Sequence, residues 1–198
     1  MEISFPYGKK SIAVDVPEKN LPVSENYNLN PISPYALSKK HAEEIVSMLS
    51  EIHNLPYTIL RYFSVYGPRQ RPDEVFTKFI VRALKEQPLE VYGDGKQKRD
   101  FTYISDIVKG TILAAEKGDG VYNIGTGRRV DVITIIEILR EILGDVKVTY
   151  LPKAPGDVRN TEADIKKAKK ELGYVPEIKL EEGTERCVEW CRKNLDIL

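Results

Sequence analysis

A tyrosine and a lysine in the first quarter of the chain have the spacing of an acid–base pair. Tyr35 and Lys39 are four residues apart, and the Ser33-Pro34 dipeptide before them is typical of a helix N-terminus. We expect a helix that begins at about Tyr35 and runs past Leu49, with both side chains on one face. An ammonium beside a phenol favours the ionised phenol, so the pair could exchange a proton with a sugar or alcohol hydroxyl.

The spacing by itself also fits an ordinary solvated helix face. The same Tyr-x-x-x-Lys pattern recurs at Tyr92 and Lys96, where the glycines of Gly93-Asp94-Gly95 predict a turn. One of the two occurrences is therefore accidental, and only the residues around each pair can distinguish them.

The hydrophobic pattern alternates short strands with amphipathic helices, which is typical of an α/β fold. The predicted strands are 56–62, 89–92, 100–104, 121–124 and 146–151, and the predicted helices after the Tyr35 helix are 76–84, 105–118, 132–143, 164–172 and 180–194. The turn at 93–95 predicts a hairpin-like connection between 89–92 and 100–104, and Ser105 and Gly144 are predicted to cap helices. The loop 64–72 follows a buried strand, at the end where open α/β sheets bind ligands.

Composition excludes several classes of partner. Lys plus Arg and Asp plus Glu are both 30 among 198 residues, so the formal net charge is zero. The chain as a whole therefore has no excess positive charge to attract nucleic acid or an anionic membrane. No run of about 18 apolar residues is present, and we expect a soluble cytoplasmic protein. The two cysteines, Cys187 and Cys191, are one helical turn apart and predict reduced thiols that pack a helix, not a disulfide or a metal site.

Motifs cover most of residues 22–183. They are Pro31-Ile-Ser-Pro-Tyr-x-x-Ser-Lys39, Leu60-Arg-Tyr-Phe-Ser-Val-Tyr-Gly-Pro-Arg-Gln-Arg-Pro72, Tyr92-Gly-Asp-Gly-Lys-Gln-Lys-Arg-Asp-Phe-Thr-Tyr103, Tyr122-Asn-Ile-Gly-Thr-Gly127 and Pro155-Gly-Asp-Val-Arg-Asn-Thr-x-Ala-Asp-Ile-x-Lys-Ala168. In this order they resemble the nucleotide-sugar epimerases of the extended short-chain dehydrogenases, most closely those related to UDP-glucose 4-epimerase.

The resemblance implies a partial fold. The chain would be the C-terminal part of an extended short-chain dehydrogenase, with a partial Rossmann-type parallel sheet and a small α/β substrate domain. Residues 1–63 would be a remnant of the dinucleotide-binding domain that carries the Tyr35 helix. Residues 64–198 would be mainly the nucleotide-sugar domain, with 100–127 returning to the sheet. Two strands of the central sheet would remain, near 57–62 and 121–124.

The resemblance also implies roles for individual residues. Tyr35 and Lys39 would be catalytic, and both would contact NAD together with Phe63. The implied substrate-binding residues are Ser64, Lys78, Val91, Tyr92, Gln97, Arg99 and Asp157. Arg99 suits a bidentate contact to a diphosphate. The plainer alternatives are a surface ion pair of Arg99 with Asp100, an ordinary loop carboxylate at Asp157, and a strand end at 63–64 that packs into the core.

The sequence departs from the family at several positions. Ser64 stands where asparagine is usual, Thr77 where proline is usual, and Ala154 near the position of an arginine. Nothing in the chain resembles the glycine-rich strand-turn-helix that binds the NAD pyrophosphate. Partners implied by the resemblance are a UDP-linked nucleotide sugar and either a homodimer or a chain that supplies the missing half.

Three hypotheses remain open. The chain is an epimerase that oxidises the sugar transiently at C4 with a cofactor half supplied elsewhere, a nucleotide-sugar binding module without catalysis, or an inactive truncated remnant.

Overall fold

Short strands and longer helices alternate along the residues that the structure describes, 16–31, 33–153 and 159–198, in the computed structural model of the chain. The strands are Thr58–Tyr62 (β1), Ser64–Tyr66 (β2), Leu89–Tyr92 (β3), Lys98–Arg99 (β4), Phe101–Tyr103 (β5), Gly120–Ile124 (β6), Val130–Asp131 (β7) and Val148–Leu151 (β8). The α-helices are Pro34–His53 (α1), Val75–Leu84 (α2), Ile104–Lys117 (α3), Val132–Leu143 (α4) and Leu180–Lys193 (α5), and Ala168–Leu172 forms a turn of π-helix. The α/β prediction is confirmed.

Strand pairing is mostly parallel. β1 pairs with β6, β2 with β5 and β3 with β8, all in parallel, while β4 and β7 pair antiparallel. Parallel neighbours need a crossover connection, which the intervening helices provide. The two predicted strands near 57–62 and 121–124 are present as β1 and β6, and the structure makes them neighbours in one parallel pair.

The predicted hairpin between 89–92 and 100–104 is wrong. Gly93 and Gly95 do form a turn, with φ values of +70° and +72°, and Gln97 Nε2 closes it by donating to the Tyr92 carbonyl at 3.1 Å. The chain then leaves along β4 toward β7, while β3 pairs with the distant β8. Leu89 and Val91 are buried, and the parallel pairing with β8 places this strand in the core, which local turn residues do not reveal.

The larger core lies between β3, β5 and the helices α2, α4 and α5. Tyr66 stacks on Phe76 at 4.2 Å between ring centroids, and Phe101 packs edge-on against Phe76 at 5.1 Å. Gly183 of α5 touches the Tyr66 hydroxyl, where a Cβ atom would not fit. Cys187 and Cys191 are free and buried in this core, as the sequence predicts.

A smaller core surrounds β6 and α3. Tyr122, Ile124, Leu172 and Tyr174 are almost fully buried there. Tyr174 donates its hydroxyl proton to the Gly125 carbonyl at 3.0 Å, which ties the C-terminal segment to the end of β6.

Helix ends agree with the sequence except at α3. Ser33 caps α1 through a bond of 3.1 Å from the Ala36 amide, and Gly144 ends α4. The predicted cap at Ser105 is wrong, since α3 begins at Ile104 directly after β5 and its capping position is Tyr103. The predicted helix 164–172 is largely replaced by the π-helical turn.

The two edges of the β1–β6 pair differ. Gly120 and Ile124 bond to Tyr57 and Phe63, the residues on either side of β1. Alternate residues of a strand face opposite edges, so Val121 and Asn123 face outward. Side chains satisfy that outer edge: Lys167 Nζ donates to the Val121 carbonyl, and the Glu25 carboxylate accepts from the Asn123 amide, both at 2.9 Å. No described strand pairs with the other edge of β1.

Candidate active site

The Tyr35 and Lys39 side chains share one face of α1, as their spacing predicts. The Lys39 ammonium lies 5.5 Å from the centroid of the Tyr35 ring, and both side chains are exposed. Ser38 donates its hydroxyl to the Tyr35 carbonyl at 2.8 Å, within the same helical turn. The pair is therefore preassembled on the first turns of a helix whose start is fixed by the Ser33 cap.

One ion pair attaches this helix to the sheet. Arg61 on β1 donates to both carboxylate oxygens of Glu43, at 2.6 Å from Nη2 and 2.9 Å from Nε, and the two side chains are only 11% and 16% exposed. Arg61 also donates to the Glu25 carbonyl at 2.8 Å. Sequence reasoning missed Glu43, although it lies one turn after Lys39 and so on nearly the same face.

Phe63 and Ser64 lie at the carboxyl end of β1, where the chain passes from one strand pair to the next. The Phe63 amide donates to the Ile124 carbonyl at 3.1 Å, and the Ser64 amide donates to the Asp100 carbonyl at 2.9 Å. The Phe63 ring packs against the smaller core, as the strand-end alternative predicts. Ser64 begins β2, beside the strand that follows Arg99.

Gln70 holds the loop after β2 in place. Its side-chain amide donates to the Val65 carbonyl at 2.9 Å, and its oxygen accepts from the Thr77 amide at 3.3 Å. Thr77 returns a bond of 3.1 Å from its hydroxyl to the Gln70 carbonyl. Threonine thus supplies two donors at a position where proline would offer none.

The predicted substrate residues on α2 and β3 have different exposures. Lys78 Nζ bonds to Glu90 at 2.7 Å and lies 5.6 Å from the centroid of the exposed Tyr92 ring. The Lys78 ammonium holds the pKa of Glu90 below its ordinary value. Val91 is buried, with 1% of its surface exposed, so its side chain belongs to the core and only its backbone can contact a ligand.

Arg99 lies beside a second arginine. Its guanidinium donates to the Lys98 carbonyl at 2.9 Å and to the Arg159 carbonyl at 3.3 Å. Arg159 in turn makes a bidentate contact with Asp94 at 2.7 and 3.0 Å, and holds the pKa of that carboxyl well below its usual range. The Lys98 amide donates to the Arg159 carbonyl at 3.0 Å, so the two arginine-bearing segments run side by side.

The alternative of a surface ion pair between Arg99 and Asp100 is wrong. Asp100 is fully buried, and its carboxylate accepts from Thr126, Gly127 and Ala163. Neighbouring residues of an extended segment point to opposite faces, which separates the Arg99 guanidinium from that carboxylate. Asp157, another predicted substrate residue, lies outside the described residues.

The structure therefore brings together two groups of chemically active side chains. One is the Tyr35–Lys39 pair on α1, and the other is Lys78, Tyr92 and Gln97 around the turn at 93–95. Arg99 is linked to that turn through Arg159, whose carbonyl accepts from Arg99 and whose side chain bonds to Asp94. No helix within the described ranges is long and apolar enough to cross a membrane, and no group of His, Cys, Asp and Glu there could hold a metal ion.

Solved structures of UDP-sugar epimerases share this fold. A UDP-glucose 4-epimerase from Thermotoga maritima, solved with UDP-glucose, matches with a TM-score of 0.85 at 42% identity over 88% of this chain and 58% of its own. A UDP-glucuronic acid 4-epimerase from Bacillus cereus, solved with a UDP-sugar analogue and NAD, matches with a TM-score of 0.87 at 37% identity over 93% and 60% of the two chains. The fold is that of the C-terminal part of an extended short-chain dehydrogenase.

Sequence relatives agree with these structures. A UDP-glucuronate 4-epimerase from Thermodesulfobacterium geofontis is 43% identical over 171 residues, which are 85% of this chain and 53% of the relative. A putative UDP-glucose 4-epimerase from Methanocaldococcus jannaschii is 40% identical over 88% of this chain and 58% of its own length. The chain thus spans little more than half the length of these relatives. A model of the NAD dependent epimerase/dehydratase family matches residues 6–125. The chain belongs to the NAD-dependent epimerase/dehydratase family.

Proposed function

We propose that this chain is the nucleotide-sugar part of a UDP-sugar 4-epimerase that acts by transient oxidation at sugar C4. The observation that carries the proposal is the preassembled Tyr35–Lys39 pair on an exposed helix face of a chain in this family. The names of its relatives, which are epimerases of UDP-glucose and UDP-glucuronate, support a UDP-linked substrate.

Tyr35 is the proton carrier of the proposed reaction. Its phenolic oxygen takes the proton of the sugar 4-hydroxyl and returns it after the keto sugar has rotated in the site to present its opposite face. The neighbouring Lys39 ammonium stabilises the phenolate that this requires and binds the nicotinamide ribose. NAD bound beside these residues would supply the hydride acceptor for C4 and the hydride donor that reduces the keto sugar again from its opposite face.

The described residues fit only one end of that cofactor. Tyr35 and Lys39 suit the nicotinamide ribose, and Phe63 lies at the strand end beside it in the proposal. The Gly125-Thr126-Gly127 turn follows a strand, but the Thr126 and Gly127 amides already bond to the Asp100 carboxylate and cannot receive a pyrophosphate. The pyrophosphate site therefore belongs to a part of the enzyme outside the described residues.

The substrate would bind on the other side of the strand ends. In the proposal Arg99 contacts the diphosphate, and Tyr92, Gln97 and Lys78 line the nucleotide pocket with the backbone of Val91. Ser64 faces the sugar and Asp157 bonds to the ribose. Residues 1–63 would then complete the cofactor domain, while 64–198 would form mainly the nucleotide-sugar domain, with 100–127 in the sheet.

Complementation tests the whole proposal. The purified chain is mixed with NAD, a UDP-sugar and a separately produced N-terminal half of the Thermotoga maritima epimerase, and products are separated by chromatography. Assays with UDP-glucose, UDP-glucuronate and UDP-N-acetylglucosamine are run in parallel, with each half alone as the control. We expect 4-epimer from at least one substrate only when both halves are present.

A binding module without catalysis is the second candidate, because the diphosphate-side residues need no cofactor. A complex that forms in size exclusion and binds UDP, yet yields no epimer from any of the three substrates, would favour that candidate over the enzyme.

A further inference from the structure

Asp100, whose carboxylate has no part in the proposed reaction, directly follows Arg99 in the chain. Asp100 has 0% of its surface exposed, and its Oδ1 accepts from the Thr126 hydroxyl at 2.6 Å and the Thr126 amide at 2.8 Å. Its Oδ2 accepts from the Gly127 amide at 2.9 Å and the Ala163 amide at 3.1 Å. These donors are all neutral, so hydrogen bonds and not an opposite charge stabilise the buried anion.

The bonds join segments that are far apart in sequence. Asp100 follows β4, residues 125–127 follow β6, and Ala163 follows the segment that carries Arg159. The backbone carbonyl of Asp100 accepts from the Ser64 amide as well. A Cβ atom at Gly125 would lie 2.8 Å from Ala163 Cβ and 3.0 Å from Asp100 Oδ2, so glycine permits this close approach.

The same residue controls where Arg99 can point. Because the Asp100 side chain is anchored inward, the preceding side chain must leave the strand on the other face. The backbone on that side is held by bonds from the Lys98 amide to the Arg159 carbonyl and from the Thr161 amide to the Lys98 carbonyl. The two arginine-bearing segments therefore have one register relative to each other.

We propose that Asp100 is a positioning residue of the diphosphate site: its carboxylate joins the strand of Arg99 to the 125–127 turn and to the segment after Arg159, and so fixes the guanidinium of Arg99. This inference rests on the proposed function, in which Arg99 binds the diphosphate. An asparagine cannot replace Asp100, because its NH2 group would face backbone N–H donors.

Calorimetric titration of the full chain with UDP tests the proposal. Asp100→Asn should weaken UDP binding about tenfold, since the guanidinium loses its fixed orientation. The matched control is Asp106→Asn, which removes a carboxylate on α3 that is 2% exposed and accepts from the Ile178 amide at 3.1 Å. The control variant should lose stability but retain wild-type affinity for UDP.

A double-mutant cycle with Arg99→Ala separates positioning from general damage to the fold. If Asp100 acts through Arg99, Asp100→Asn should have little further effect on UDP affinity once Arg99 is alanine. Equal effects in both backgrounds, or an equal loss in Asp106→Asn, would overturn the proposal. If Asp100→Asn does not fold, Thr126→Val removes the 2.6 Å bond and keeps the charge, and the same cycle decides.

The outcome for the wild-type chain separates this inference from the proposed function. A wild-type chain that does not bind UDP contradicts the diphosphate site itself, and the role of Asp100 is then wrong with it. A wild-type chain that binds UDP, with Asp100→Asn unchanged, contradicts the positioning role alone.

Discussion

The phenolic oxygen of Tyr35 is the single atom on which the proposed proton transfer depends. With the cofactor half supplied, Tyr35→Phe should lower kcat by about 10²–10⁴, because general acid–base help is lost. UDP-sugar binding should change little, since the diphosphate and nucleotide contacts remain. Tyr62→Phe is the matched control: this tyrosine is also exposed, and its hydroxyl shares a hydrogen bond of 2.9 Å with the Thr111 hydroxyl. A fully active Tyr35→Phe complex would reassign the chemistry.

Replacing Arg99 should impair the nucleotide site and leave the rest of the fold intact. Saturating UDP at about 100 times its Kd stabilises the native state by about 2.7 kcal/mol and should raise Tm by about 5–10 °C. Arg99→Ala should reduce that shift strongly, and the exposed Arg140→Ala should not. Thermal unfolding with and without UDP measures both. Equal shifts in wild type and Arg99→Ala contradict the diphosphate assignment.

The buried thiols make stability depend on alkaline pH. Burial raises the pKa of Cys187 from 9.0 to about 12 and that of Cys191 to about 11. The unfolded chain therefore loses thiol protons above about pH 9 while the folded chain keeps them, so the free energy of unfolding falls as pH rises.

Urea unfolding at pH 8, 9 and 10 measures this effect. Burial also raises the pKa values of Tyr66 and Tyr174, which add to the slope near pH 10, so the thiol contribution is read from the difference between wild type and Cys187→Ala. Each thiol contributes a slope of up to about 1.4 kcal/mol per pH unit. Cys187→Ala should be less stable at every pH but should show a shallower slope between pH 9 and 10. An unchanged slope contradicts the assignment of the pH dependence to this thiol.

At the scale of elements, α1 is attached to the sheet mainly through polar contacts. Among its described residues only Ala36 is buried, and the Glu43–Arg61 pair supplies the bidentate contact to β1. Glu43→Gln should lower the free energy of unfolding by about 1–3 kcal/mol, because the largely buried Arg61 guanidinium would lose its charged partner.

The control for this prediction is Glu182→Gln, which breaks an exposed ion pair with Arg186 on α5 and should cost at most about 0.5 kcal/mol. Urea titrations of both variants provide the comparison. Equal small losses would show that the helix is held by other contacts.

Local signals explain which elements the sequence could predict. The Ser33 cap and the Gly144 stop follow from short-range chemistry, and both are present. The strands β1 and β6 follow from β-rich runs, but their pairing joins distant residues such as Thr58 and Gly120 and is not encoded locally. The prediction of a hairpin at 89–104 is wrong because the partner of β3 is β8, more than fifty residues later, and no local residue encodes that pairing.

The candidate site divides in the same way. The Tyr35–Lys39 geometry follows from one helical turn, so the sequence predicts it. The partners of the Asp100 carboxylate come from two segments that are distant from it in sequence, and the burial of Val91 depends on packing against the larger core. Neither could be read from spacing along the chain, because both arise only when distant segments meet.

At the scale of the whole molecule, the two edges of the β1–β6 pair differ in what covers them. Lys167 and Glu25 satisfy the outer edge of β6, whereas no described strand covers β1. Apolar side chains of α1 are exposed as well: Ile45, Met48 and Ile52 are 51%, 53% and 64% exposed. Exposed surface of this kind indicates an interaction site.

This surface predicts that the chain does not remain a stable monomer. Ile45, Met48 and Ile52 recur at three- and four-residue intervals, as in helices that pair through one apolar stripe. Light scattering coupled to size exclusion should therefore show a dimer or a larger species, through α1, or association with a chain that supplies the missing strands. Ile52→Lys should weaken self-association, while Val175→Lys, at an exposed apolar residue that is not part of α1, should not. A monodisperse wild-type species near 22.5 kDa with cooperative unfolding would mean that the chain closes its own core, and the partial-sheet interpretation would have to be abandoned.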